Sequence, residues 1–90
     1  MADIAISRLG ARAFRVQLRE GGRETTHHVT APETVGALKF PETDLERVVH
    51  ESFEFLLERE PASSILSRFS LNEISRYFPE YEDELARRLA

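Results

Sequence analysis

The chain has no cysteine, no tryptophan, a single lysine (Lys39) and no apolar run longer than three residues. Without cysteine there is no disulfide scaffold, and no thiolate for zinc, iron–sulfur or redox chemistry. Apolar runs this short fall far below the roughly 20 residues that span a bilayer, so no membrane is expected as a partner. The Met-Ala-Asp opening lacks the basic and apolar regions of a secretory signal, and Ala2 stands where myristoylation needs glycine. Cytoplasmic location is the expectation. Glycine and proline are sparse, four of each, so each one is read as punctuation.

What is present is 90 residues with 12 basic and 16 acidic side chains, a net charge of −4. A chain of this length buries only about 60–65% of its unfolded surface and supports one core. Residues 1–90 are therefore read as one domain, with a β-meander (1–31), a connecting segment (32–42) and a helical half (43–90). The charge is divided unevenly: residues 1–42 carry +1 and residues 43–90 carry −5. Only the first half could present a phosphate-binding surface.

Ile4 and Ile6 alternate with polar or small neighbours, and Phe14, Val16 and Leu18 alternate with Ala13, Arg15, Gln17 and Arg19. That is the period of a strand with one buried face. Gly21-Gly22 supplies the positive φ of a two-residue hairpin. Placed at the tip, it pairs Glu20 with Arg23, Arg19 with Glu24, Leu18 with Thr25, Val16 with His27 and Phe14 with Val29. Opposite charges beside the turn and an apolar column behind them agree on one register. Ile4 and Ile6 join the same face if the loop around Gly10 has odd length. Val35, Leu38 and Phe40 are expected to tuck against the sheet and close the core.

The second half changes to helical period. Thr43-Asp44-Leu45-Glu46 reads as a capping box. Leu45, Val48, Val49, Ser52, Phe53, Leu56 and Leu57 then form one stripe, and Pro61 ends the helix near Arg59. Residues 62–68 are expected as a weak helix. Ser70-Leu71-Asn72-Glu73 is a second capping box, opening a helix that Pro79 closes. Pro79 then begins a last helix with early acids and late arginines, supported by Asp83–Arg87 and Glu84–Arg88 pairs. The expected fold class is α+β: a three-stranded antiparallel meander (about 3–8, 12–20, 23–31) packed against a long helix (about 44–59) and two or three short C-terminal helices.

Few residues suggest chemistry. Glu46, His50 and Glu54 line one ridge of the long helix and could hold a divalent metal only with ligands from a second element. A solvated charged face opposite the apolar stripe is the preferred account of them, and no metal or cofactor is expected. His27 faces the core beside Val16, where a hydrogen-bonded structural histidine is the default. None of the seven serines lies in a nucleophile elbow, and no glycine-rich phosphate loop exists. No enzyme is expected.

Two surfaces remain. Arg15, Arg19 and His28 share the polar face of the hairpin and form a candidate anion surface, though no aromatic there could stack on a base. A helix-turn-helix over 70–89 is excluded, because its recognition helix would bring Glu80, Glu82, Asp83 and Glu84 to phosphates. Phe55 lies between the stripe and the polar side of the long helix, so it must meet the short helices or a partner. With Arg76, Tyr77 and Tyr81 it makes a candidate interaction surface, and the exposed edge of the meander is another.

The strings Ser52-Phe53-Glu54-Phe55-Leu56-Leu57-Glu58-Arg59-Glu60-Pro61 and Ile74-Ser75-Arg76-Tyr77-Phe78-Pro79-Glu80-Tyr81 resemble a group of short uncharacterised bacterial proteins. The resemblance covers mainly residues 48–85 and brings no activity and no catalytic residue with it. The expected function is a non-catalytic protein-interaction or regulatory module, binding a protein partner or a second copy of itself. Nucleic-acid binding through the hairpin is the alternative, and a metal-dependent enzyme a distant third.

Overall fold

The computed structural model describes residues 2–36, 38–40 and 44–90. Three strands, β1 (Asp3–Arg8), β2 (Ala13–Glu20) and β3 (Arg23–Thr30), form the antiparallel meander read from the sequence. Gly21 and Gly22 adopt φ of 58° and 81°, and the strands on either side pair Glu20 with Arg23 through Phe14 with Val29. β1 aligns Ile4 with Leu18 and Ile6 with Val16, so the isoleucines do extend the apolar face. Of the two charge pairs beside the tip, Arg19 and Glu24 form an ion pair at 3.1 Å. The Glu20 carboxylate instead accepts from the Ala62 amide at 3.1 Å, fastening a distant segment to the hairpin.

The connecting segment carries two two-residue strands, β4 (Thr34–Val35) and β5 (Leu38–Lys39), paired with each other. Val35 and Phe40 are buried and Leu38 packs against the core. Arg12 holds this segment in place. Its guanidinium donates to the carbonyls of Ala31, Pro32 and Phe40 at 3.0–3.3 Å, satisfying acceptors that no ladder reaches.

The long helix α1 spans Leu45–Leu57. Thr43, the expected cap, lies outside the described residues; Asp44 is the N-cap and makes no side-chain capping bond. Burial on α1 is wider than the expected stripe, because Phe55 is buried along with Leu45, Val48, Val49, Ser52, Phe53 and Leu56. The cause is a second layer: α3 (Tyr81–Leu89) packs on the side of α1 turned away from the sheet.

Residues 62–68 depart from the expected helix. Only Ala62–Ser64 make a 3-10 turn, Ile65 is already extended, and β6 (Arg68–Ser70) pairs parallel with β3. The sheet therefore has four strands in the order β1-β2-β3-β6. Pairing satisfies backbone groups of β3 that the hairpin leaves open, and it seats Phe69 against Phe53 with ring centroids 5.8 Å apart. The second capping box forms, with the Ser70 amide donating to Glu73 Oε2 at 2.8 Å. It opens a 3-10 turn (Leu71–Glu73) that runs into the single-turn helix α2 (Ile74–Tyr77). Phe78, ahead of Pro79, leaves helical geometry as pre-proline sterics require.

A candidate interaction groove

The sequence-derived candidates fall into three groups. Arg15, Arg19 and His28 do share one open face of the sheet, with Arg15 directly opposite His28. Arg19 is paired with Glu24, whereas Arg15 is exposed and Arg68 of β6 aligns beside His28 on the same face. Two other arginines of this half are used structurally. Arg12 binds three carbonyls, and Arg8 donates to the carbonyls of Gly10 and Ala11 while lying over the Phe14 ring.

Along α1, His50 Nε2 stands 3.9 Å from Glu54 Oε1, on the solvent side. Glu46 and His50 border a shallow depression against Ile4 and Ile6. Among the described residues no group of three or more His, Asp or Glu side chains is arranged to hold a metal ion. His27 is buried, as its register implies, and both ring nitrogens are bonded: Nδ1 to the Leu66 carbonyl at 2.8 Å and Nε2 to Thr25 Oγ1 at 2.9 Å.

The expected interaction surface separates into two environments. Phe55 and Tyr81 are fully buried, so neither is open to a partner. They meet each other edge-on at 5.2 Å in the seam between α1 and α3, and Phe55 also meets Phe78 at 5.9 Å. The Arg59 guanidinium covers the other face of Phe55 at 3.6 Å, donates to the Phe55 carbonyl and pairs with Glu80. The Tyr81 phenol bonds Ser52 Oγ at 2.7 Å, and burial pushes its pKa far above the usual phenol range. Sequence periodicity could not place these two rings inside, because their cover comes from an element about 30 residues away. Tyr77 and Arg76, by contrast, are exposed.

Tyr77 stands at the rim of an apolar groove of about 280 Å³. Leu56 at the end of α1 and Phe69 on β6 contribute to its lining, together with Ile65, Ile74 and Phe78. Leu66 and Tyr77 line the same groove while remaining 48% and 66% exposed. Only three large apolar side chains among the described residues are exposed, and two of them are here. Solvent-facing apolar side chains concentrated on one concavity are the pattern of a contact surface.

The groove also has a charge. Glu60 and Glu73 both reach its wall. Glu73 is engaged by the Ser70 amide, whereas Glu60 has no ion-pair partner among the described residues. Partial burial raises the Glu60 pKa, since a carboxylate removed from water without a partner resists ionisation. The groove can therefore offer apolar contact and one unsatisfied negative charge together. Glu60, Ile65, Leu66 and Phe69 were not among the sequence-derived site residues. One signal for them exists: Ile65 and Leu66 are adjacent apolar residues in a segment too short to bury both.

No family model, no curated protein and no solved structure matches this chain.

Proposed function

We propose that this chain is a non-catalytic protein-interaction module whose groove receives a partner segment carrying an apolar anchor beside a lysine or arginine. The observation that carries this reading is the exposure of Leu66 and Tyr77 on a groove whose wall holds Glu60, which has no ion-pair partner among the described residues. Burying Leu66 and Tyr77 removes apolar area from water, and a cation beside Glu60 offsets the cost of its desolvation. Tyrosine is among the residues enriched at the energetic centres of protein interfaces, which suits Tyr77 to this role.

The competing anion-binding reading rests on Arg15, Arg19 and His28 on the open sheet face, and the Arg19–Glu24 ion pair weakens it. One experiment separates the two. Affinity capture from cell extract is run with the natural chain, with Leu66→Glu and Tyr77→Glu, and with Arg15→Glu plus Arg19→Glu. A protein held by the natural chain and by the arginine variant, but lost from both groove variants, supports the module. Capture lost only with the arginine variant, and abolished by salt or nuclease, overturns it in favour of the hairpin.

A further inference from the structure

The geometry points to β1 as the contact through which two copies of this chain pair, antiparallel and centred on Ala5. The sheet order leaves β1 at an edge, and its backbone can be followed residue by residue. A two-residue tip at Gly21-Gly22 makes Glu20 and Arg23 the closing hydrogen-bonded pair. Hydrogen-bonded and non-hydrogen-bonded pairs alternate along an antiparallel ladder. β2 therefore uses its even-numbered residues toward β3 and its odd-numbered residues toward β1. Asp3, Ala5 and Ser7, aligned with Arg19, Gln17 and Arg15, carry the β1–β2 bonds. The Leu9 amide donating to the Ala13 carbonyl at 2.8 Å continues the same phase. The N–H and C=O groups of Ile4 and Ile6 consequently point away from the sheet.

Nothing on this edge discourages pairing. Proteins blunt exposed strands with proline, lysine or charge placed mid-strand. From Ile4 to Ser7 there is none of these; Asp3 and Arg8 lie only at the ends. The apolar face is also unfinished here. Val16 and Leu18 are fully buried, while Ile6 and Ile4 beside them are only partly buried, lining a shallow depression.

The strand is complementary to itself. A two-fold axis at Ala5 sets each Ile4 opposite Ile6 of the second copy, Ala5 opposite Ala5, and Asp3 opposite Ser7. The outward groups of Ile4 then bond those of Ile6, twice over by symmetry. All four isoleucines stay on the core side, and each Ser7 hydroxyl can donate to an Asp3 carboxylate. A shift of one residue would set Ile4 against the polar face and break both relationships. The two four-stranded sheets become one continuous sheet.

The test uses charge at the axis. Ala5 is exposed on the polar face, so Ala5→Lys and Ala5→Glu leave the core untouched. Sedimentation equilibrium of the natural chain is expected to show a dimer. Each variant alone is expected to be monomeric with an unchanged circular dichroism spectrum, because like charges face each other about 5 Å apart. An equimolar mixture of the two is expected to restore the dimer as a heterodimer. Leu66→Glu, on the groove, should leave the dimer intact. A monomeric natural chain at every concentration, a dimer indifferent to both Ala5 variants, or a mixture that stays monomeric overturns the proposal.

Discussion

His27 and Leu66 are joined by a 2.8 Å hydrogen bond from the imidazole Nδ1 to the Leu66 carbonyl, across 39 residues of sequence. A carbonyl only accepts, so Nδ1 carries a proton, while Nε2 bonds Thr25 Oγ1 at 2.9 Å. The bond fixes the segment entering β6 beside β3 and sets the rim residue Leu66 in place. Replacing His27 with alanine takes the donor from the part-buried Leu66 carbonyl and leaves a void beside Phe53, at a cost of about 2–4 kcal/mol. Urea denaturation measures it, and faster amide exchange at His28–Thr30 locates it.

Ser52 and Tyr81 make an asymmetric pair. The one hydroxyl proton of Ser52 goes to the Val48 carbonyl at 2.7 Å, so the Tyr81 hydroxyl donates to Ser52. Tyr81→Phe removes that donor and leaves Ser52 bonded, costing about 0.5–1.5 kcal/mol. Ser52→Ala strands a buried phenol and costs more, about 1–3 kcal/mol. In the double variant no polar group is stranded, so it is expected to be less destabilised than Ser52→Ala alone, as a double-mutant cycle in urea will show.

Acid should loosen α3 before the sheet. The Glu58 carboxyl is held below the usual range chiefly by its hydrogen bond from Arg88, and Glu84 by that from Arg87. Glu80 is lowered first by its own backbone amide and then by Arg59. Depressed values mean that the unfolded chain takes up these protons first. The stabilisation is thus complete above the ordinary carboxylate pKa and disappears as pH falls through the lower folded values. One partner in each pair is at least half exposed, so each contributes modestly. Protection from hydrogen exchange, taken against the intrinsic rate at each pH, is expected to fall in α3 as pH drops below roughly 4, ahead of β2 and β3.

Glu60 acts with the opposite sign. Its raised pKa means the folded chain holds the proton longer, so ionised Glu60 opposes folding above its folded pKa. Glu60→Gln should raise the thermal midpoint at neutral pH and leave it unchanged in acid, while weakening capture of a cationic partner.

The hairpin tip tolerates few residues. At Gly21, with φ of 58°, valine is expected to cost about 1–2 kcal/mol, whereas asparagine, which accepts left-handed geometry, should be nearly neutral. Thermal denaturation of the two variants checks the contrast.

Those predictions draw unequally on what the sequence made legible. The β1–β3 register could be read because strand period, the Gly21-Gly22 tip and the Arg19–Glu24 charges all bear on neighbouring residues. β6 could not, since three residues are too few to display alternation and a parallel pair has no turn to announce it. Phe55 meets the short helices, as its place between stripe and polar face requires, but its burial and that of Tyr81 have a related cause: helical period locates one buried face, and α3 gives α1 a second. The groove is assembled from residues near 56–60, 64–69 and 73–78, and no local pattern encodes such a meeting.

The parallel pairing of β3 with β6 also orders events in time. The hairpin closes across two glycines, whereas β6 joins β3 only after a loop of some 37 residues is brought together, from Thr30 to Arg68. Long loops close at a greater entropic cost, and distant pairings form more slowly than local ones. The meander is therefore expected to form before β6 joins it, as pulse-labelling hydrogen exchange during refolding will show. The groove, lined by Leu56 of α1 and Phe69 of β6, takes shape only once that closure is made.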